Sequence, residues 1–212
     1  MNIFINPGHS LDGHPDPGAV NEELGITESE SNAVIAENCA IALERYGYTV
    51  KIVQSHNLRG ESPAYPNVTG LANNWPADLF LSIHANAGGG RGCETYCYHD
   101  ASWSNVLAHY VQNTLHRNVS RIDKTFPNRG VRINPELAVL RCTAMPAILV
   151  ETGFIDNDQD VQLIHKYPAI FGHGIAYGTH LFLKDFLNPD DDAEAYDLRM
   201  PMVYIPATEP QA

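Results

Sequence analysis

The chain has 212 residues, which is long enough for one domain with a sizeable apolar core. Its net charge of −12 argues against a nucleic-acid binder, which would carry a basic face, and against adhesion to anionic lipid. No stretch reaches the length of a transmembrane helix, so no membrane insertion is predicted. The first residues lack a basic and apolar signal region, which predicts either synthesis in the cytoplasm or prior removal of an export segment.

Short apolar runs alternate with segments of helical periodicity along most of the chain. The predicted strands cover residues 3–5, 50–53, 79–83, 94–98 and 147–150. The predicted helices cover residues 28–46, 102–118, 157–165 and 168–186, with a short helix around Leu71. Thr27 and Glu30 form a capping box at the start of the first helix, and the polar segment 120–136 is predicted to be a surface loop.

Strands that alternate with helices predict an α/β fold, a three-layer sandwich with a mainly parallel twisted sheet and helices on both faces. The composition changes after Leu187, where an acidic stretch and several prolines follow. We therefore predict one catalytic domain over residues 1–187 and an acidic, proline-containing C-terminal tail over residues 188–212.

Polar residues capable of chemistry follow three of the predicted strands. His9 follows the first strand, His84 follows the buried strand 79–83, and Glu151 follows the strand 147–150. Glu28 opens the helix after the first strand. Because ligands bind outside the carboxyl ends of parallel strands, we expect these four side chains to converge there.

Two imidazoles and one carboxylate form a common catalytic zinc set that leaves a fourth position for water. The metal lowers the pKa of this water, and a second carboxylate is needed to accept its proton, a role for which Glu151 is the candidate. No local pair such as His-Glu-x-x-His is present, so the spacing equally allows ordinary structural polar residues. Glu23 is the main rival of Glu28 as a ligand, because it also lies between His9 and the helix.

Other acidic and histidine side chains near His9 in sequence are interpreted as solvated loop residues. They are Asp12, His14, Asp16 and Glu22.

The motifs resemble those of the zinc-dependent N-acetylmuramoyl-L-alanine amidases. Asn-Pro-Gly-His at 6–9 resembles the opening motif of that family. The other matches lie, in the family's order, at 18–19, Glu28, 77–87, 129–132, 139–141 and 146–157. The similarity runs from about residue 2 to 185, but Asn6 stands where the family usually has Asp, and Ser10 replaces a glycine.

The resemblance implies that His9, Glu28 and His84 bind one zinc ion per chain and that Glu151 is the catalytic carboxylate. It implies hydrolysis of the amide between the lactyl group of N-acetylmuramic acid and L-alanine, with peptidoglycan or a muropeptide as substrate and the cell wall or periplasm as the place of action. Two further residues are candidates for substrate binding. For Asn86, the alternative to substrate binding is a role in orienting the loop. For Arg141, the alternative is a structural ion pair.

Two alternative functions stay open at this point. The first is a catalytically silent peptidoglycan-binding or regulatory module on the same fold, and the second is a zinc peptidase that cuts within the stem peptide. No separate wall-binding domain is visible, which indicates targeting by a partner protein or by access alone.

Overall fold

The computed structural model describes residues 1–187 of the chain. The strands are β1 (Asn2–Pro7), β2 (Val20–Asn21), β3 (Ile26–Thr27), β4 (Thr49–Ile52), β5 (Leu79–Asn86), β6 (Cys93–Cys97), β7 (Asn128–Ile133) and β8 (Ala147–Phe154). The α-helices are α1 (Glu28–Arg45), α2 (Val68–Asn74), α3 (Trp103–Val119), α4 (Ala138–Arg141), α5 (Asp158–Lys166) and α6 (Pro168–Leu187).

Six strands form one sheet in the order β4-β1-β5-β8-β6-β7. Strands β4, β1, β5 and β8 are mutually parallel, whereas β6 pairs with β8 in the antiparallel direction and β7 runs parallel to β6. The central strands β1, β5 and β8 carry nearly continuous runs of buried residues, as expected for strands covered on both faces.

Helices cover both faces of this sheet. Helices α1, α3, α5 and α6 pack on one face around a large core that includes Ile35, Leu115 and Phe171. Helices α2 and α4 pack on the other face, where Phe4 and Phe80 lie in a smaller cluster. The predicted three-layer α/β sandwich with a mainly parallel sheet is confirmed.

Three details of the predicted strands are wrong. Strands β5 and β8 continue past the predicted ends, so His84 and Glu151 lie within strands and not after them. The segment 120–136, predicted as a loop, contains β7 at the edge of the sheet, where its half-exposed polar residues hide the usual apolar alternation. This added strand pairs with β6, which is therefore an internal strand of the sheet.

The predicted C-terminal tail, residues 188–212, lies outside the described residues, so the proposed domain boundary stays a prediction. Within residues 1–187, none of the helices combines the length and the apolar character needed to cross a lipid bilayer.

The crossing of α1 and α6 depends on a close backbone approach at Gly172. A Cβ atom at this position would lie 2.7 Å from both the backbone nitrogen of Cys39 and the backbone oxygen of Ile35. Because these are backbone atoms of a packed helix, they cannot move aside without separating the two helices.

We expect Gly172→Ala to lower the free energy of unfolding by about 1–3 kcal/mol, because overpacking outweighs the gain in helix propensity. The control is Asn113→Ala at an exposed position of α3, which we expect to be neutral or slightly stabilising. Urea denaturation of both variants measures the effect. A Gly172→Ala variant as stable as the wild type would show that the helices adjust freely.

Candidate metal centre and active site

Four chemically active side chains meet at one end of the parallel strands. His9 lies two residues after the end of β1, Glu28 is the first residue of α1, His84 lies in β5 and Glu151 lies in β8. Strand β5 is hydrogen-bonded to both β1 and β8, so the sheet holds three of these positions side by side. The expected convergence is therefore present.

The start of α1 is fixed by its cap. The hydroxyl oxygen of Thr27 accepts a hydrogen bond from the backbone nitrogen of Glu30 at 3.3 Å, and the hydroxyl donates to the Glu30 carboxylate at 2.9 Å. This capping box was predicted from the sequence, and it places Glu28 in the first turn of the helix. The carboxylate of Glu28 thereby faces the strand ends.

One carboxylate oxygen joins the two histidines. Oε1 of Glu28 lies 3.0 Å from Nε2 of His9 and 3.0 Å from Nδ1 of His84. Each of the three residues offers one ligand atom, and these atoms all lie within 4.8 Å of one another. Glu28 is buried and the histidines are half-buried, so the cluster is shielded without being closed off.

The cluster fits a metal ion better than it fits a network of hydrogen bonds. Besides the two imidazoles, Oε1 of Glu28 has Ala85 N at 3.2 Å and Asn32 Nδ2 at 3.4 Å. These are four nitrogen neighbours, whereas one carboxylate oxygen accepts only about two hydrogen bonds. Two donors on a tetrahedral zinc ion lie about 3.3 Å apart. The distance from Oε1 of Glu28 to each imidazole nitrogen, 3.0 Å, is close to this value.

Groups around the cluster hold its members in place. Nδ1 of His9 lies 3.0 Å from the Asp16 carboxylate, and the other oxygen of Glu28 accepts a hydrogen bond from the Ala19 backbone at 2.9 Å. The Ser10 hydroxyl accepts a hydrogen bond from the Asp16 backbone nitrogen at 3.1 Å. A carboxylate on the outer nitrogen of a histidine is the usual support of a metal-binding imidazole.

Gly18 allows the loop before α1 to approach the cluster. It has a φ of +69°, and a Cβ atom here would lie 2.6 Å from both Oε2 of Glu28 and the His9 ring. A larger residue would therefore displace two of the clustered side chains, which explains the glycine at this point of the motif.

The charges of the cluster stabilise one another. Burial lowers the pKa of His9, but the hydrogen bonds and charges of Glu28 and Asp16 outweigh it and raise that pKa to about 9. Burial likewise opposes ionisation of Glu28, but the two imidazoles hold its pKa well below the usual range. Glu28 is therefore an anion at neutral pH, ready to bind a cation.

Glu151 has a different environment. It is the register partner of His84 in β5 on one side and of Glu94 in β6 on the other. Its Oε2 atom is buried and has no hydrogen-bond partner among residues 1–187. Burial, assisted by the charges of Glu28 and Glu94, raises the pKa of Glu151 to about 7, although His84 opposes the shift.

The two residues suggested for substrate binding are placed differently. The Asn86 amide nitrogen donates to Glu94 at 2.8 Å, and its oxygen accepts from the Ala87 backbone at 2.8 Å. Arg141 ends α4, and its ion pair among the described residues is with the exposed Glu136 at 3.6 Å.

Sequence reasoning missed two residues of this region. Asp16 was interpreted as a solvated loop residue, yet its carboxylate contacts His9, and its position in the loop before Gly18 gave no periodic signal. Glu94 is the second such residue, because a carboxylate inside a strand needs a specific partner when it is buried, as Glu94 is. The rival ligand Glu23 is exposed, and the described cluster of metal-binding atoms does not contain it.

Comparison with known proteins identifies relatives. The family model described as N-acetylmuramoyl-L-alanine amidase matches residues 3–178. A sporulation-specific N-acetylmuramoyl-L-alanine amidase of Bacillus subtilis is 36% identical over 161 residues, which are 76% of this chain and 58% of that protein. The endolysin of Bacillus phage SPP1 is 34% identical over 190 residues, which are 88% of this chain and 66% of the endolysin.

Solved structures share the fold. The CwlD amidase of Clostridioides difficile, determined in complex with the GerS lipoprotein, has a TM-score of 0.73 at 26% identity and matches 86% of this chain and 98% of that one. An N-acetylmuramoyl-L-alanine amidase of Clostridium difficile 630 has a TM-score of 0.68 at 28% identity, over 89% and 97% of the two chains. The chain thus spans nearly all of these structures but less than two thirds of the two sequence relatives.

We expect Glu28→Ala to abolish stoichiometric zinc binding, because it removes the atom shared by both histidines. Glu23→Ala removes an exposed carboxylate five residues earlier in the chain and should leave zinc content at the wild-type level. Metal analysis of both purified variants measures this. Loss of zinc in Glu23→Ala with retention in Glu28→Ala would reverse the ligand assignment.

We expect Asp16→Asn to weaken zinc binding by about 10–100-fold, because the amide no longer provides a charged partner for Nδ1 of His9. Competition with a chelator measures the affinity, and circular dichroism checks that the fold is retained. Asp158→Asn, at the exposed start of α5, is the control for the loss of one negative charge. Equal zinc affinities of the two variants would exclude a supporting role for Asp16.

Proposed function

Because the chain belongs to the N-acetylmuramoyl-L-alanine amidase family, we propose that it hydrolyses the amide between the lactyl group of N-acetylmuramic acid and L-alanine in peptidoglycan. The observation that carries this proposal is the cluster of His9, Glu28 and His84 beside Glu151, a half-buried residue that pairs with His84 in the neighbouring strand. This is the arrangement that metal-assisted amide hydrolysis requires.

The proposed cofactor is one zinc ion per chain, held by His9, Glu28 and His84. When bound, zinc supplies the Lewis acidity that polarises an amide carbonyl and lowers the pKa of water. Asp16 orients His9, and the Ala19 backbone orients Glu28, so both ligands are held before any metal arrives. Such preorganisation fits a resident metal.

Glu151 is the proposed general base and acid. A carboxyl group whose pKa is near 7 accepts a proton from water and can return it to a leaving amide nitrogen near neutral pH. Its Oε2 atom makes no hydrogen bond within residues 1–187, so no structural contact of that atom has to break when the carboxylate takes up a proton. Burial by the sheet therefore prepares this carboxylate for the two proton transfers.

For the two substrate-binding candidates we propose different roles. Asn86 acts indirectly by holding Glu94 through its amide nitrogen. Arg141 has a partly exposed guanidinium and a long contact with Glu136, which leaves it available for a substrate carboxylate.

The proposed substrate is intact peptidoglycan or a soluble muropeptide, and the proposed place of action is the cell wall or periplasm. A relative in the solved structures forms a complex with a lipoprotein, and this supports a targeting protein among the partners of the present chain.

Mass spectrometry of a muropeptide digest tests the reaction. The zinc-loaded protein should release muramic acid with a free lactyl carboxyl group and peptides that begin with L-alanine. A zinc peptidase would leave truncated stem peptides attached to muramic acid. A catalytically silent module would bind muropeptides and release no product.

We expect Glu151→Gln to bind zinc like the wild type and to lose about 10²–10⁴-fold in turnover, because the amide cannot transfer the proton. Its melting temperature should equal or exceed that of the wild type, since a buried carboxylate without a partner is neutralised. Glu37→Gln, at an exposed position of α1, is the matched control. Wild-type turnover in Glu151→Gln would remove this residue from the mechanism.

A further inference from the structure

We propose that Arg129 and Arg132, anchored by the buried carboxylate of Glu94, form a subsite for a carboxylate of the stem peptide on the leaving-group side of the cut amide. The inference rests on the proposed amidase function and extends it to substrate selectivity. The subsite would take the free α-carboxylate of the second, D-glutamyl residue in preference to its amidated form.

Both carboxylate oxygens of Glu94 accept hydrogen bonds from neighbouring side chains. Its side chain is 2% exposed, and one of its oxygens accepts a hydrogen bond from Nε of Arg129 at 3.0 Å and from Nε of Arg132 at 2.6 Å. The other oxygen accepts from Asn86 at 2.8 Å and from the Tyr96 hydroxyl at 3.0 Å. A buried carboxylate with four donors fixes the groups around it.

Most N–H groups of the Arg129 and Arg132 guanidinium groups have no hydrogen-bond partner within residues 1–187. Each contributes one N–H to Glu94, and within residues 1–187 neither makes a further hydrogen bond, so four N–H groups remain on each. The side chains are 32% and 48% exposed, so both arginines are partly accessible from solvent. The guanidinium carbon of Arg129 also lies 4.9 Å from the centre of the Phe154 ring, a cation–π contact that stabilises this position.

The charge of this cluster is unusual for the chain. Two guanidinium groups share one carboxylate, so the cluster keeps an excess of one positive charge in a protein of net charge −12. A structural ion pair needs only one arginine for one carboxylate. The second positive charge and the two exposed donor edges fit an anion with planar, bidentate oxygens, which is a carboxylate.

The two arginines lie near Glu151, beside which the substrate amide is expected to bind. Glu94 is the register partner of Glu151, and Arg132 is the register partner of Tyr96 in the next strand. Neighbouring strands lie about 4.8 Å apart, so the arginines that reach back to Glu94 lie about one to two strand spacings from Glu151.

The direction also matches. Glu151 delivers its proton to the leaving nitrogen in the proposed mechanism, so the peptide extends from that side of the site. An extended peptide spans about 3.3–3.6 Å per residue, which places the carboxylate of its second residue about 5–8 Å from that nitrogen. This distance reaches the arginine pair.

Two muropeptides that differ only in the second residue, with a free or an amidated α-carboxylate, test the proposal. The wild type should cleave the free-carboxylate form with a kcat/KM about 10–100-fold higher, mainly through KM, as expected for charge-assisted hydrogen bonds. Arg132→Lys keeps a positive charge beside Glu94 but removes the parallel N–H donors that can bind both oxygens of a carboxylate. Arg132→Lys and Arg129→Lys should each reduce the preference several-fold.

Arg121→Lys, on the exposed turn after α3, is the matched control and should keep the wild-type preference. The preference is a ratio between two substrates on one protein sample, so it is unaffected by any unfolded fraction. Cleavage of both muropeptides by the wild type at equal kcat/KM would overturn the subsite. An unchanged preference in both Arg129→Lys and Arg132→Lys would also overturn it.

Calorimetry with the released stem peptides separates this proposal from the amidase function. Peptides with the free carboxylate should bind the wild type more tightly than amidated peptides, and Arg132→Lys should lose that difference. Such binding without cleavage of muropeptides would retain the subsite and refute the amidase activity. Cleavage of muropeptides with equal binding of the two peptides would retain the activity and refute the subsite.

Discussion

The active region depends on one shared carboxylate oxygen. Oε1 of Glu28 contacts an imidazole that follows β1 and another that lies in β5, and it connects both to the first turn of α1. Three separate segments of the chain are thereby joined at a single atom. A carboxylate held beside two imidazoles is stabilised as an anion by them, and together they offer a cation a preformed set of ligands.

The sheet then gives neighbouring carboxylates different properties. Glu28 contacts two imidazoles, Glu94 contacts two guanidinium groups, and Glu151 lies between His84 and Glu94 with one oxygen left without a partner. Desolvation opposes ionisation of all three carboxylates, but their partners decide the direction of the pKa shift. The pKa is lowered for Glu28 and Glu94 and raised for Glu151. The carboxylate with the raised pKa, Glu151, thus lies about one strand spacing from His84 of the cluster.

The sequence alone predicted the layered fold and the four residues of the candidate site. Apolar runs of strand length and the capping box at Thr27 are local signals, because they depend on the backbone periodicity and on hydrogen bonds within one turn. His9, Glu28, His84 and Glu151 are also marked by local signals, because each lies in a short motif of neighbouring residues. Strand ends were less visible, since a buried strand can continue through polar residues when its neighbours supply partners, as β5 does at His84.

Only the tertiary structure decided which side chains meet. Asp16 lies on His9 because the loop folds back over the site, and Glu94 lies beside Glu151 because β6 turns antiparallel to β8. Strand β7 was hidden in a polar segment, yet it carries both arginines that pair with Glu94. The pairing of Glu94 with Glu151 and the ion pairs of Glu94 join residues that are far apart in the sequence. Such pairings leave no periodic trace in the chain, because strand order and register, not local propensity, determine them.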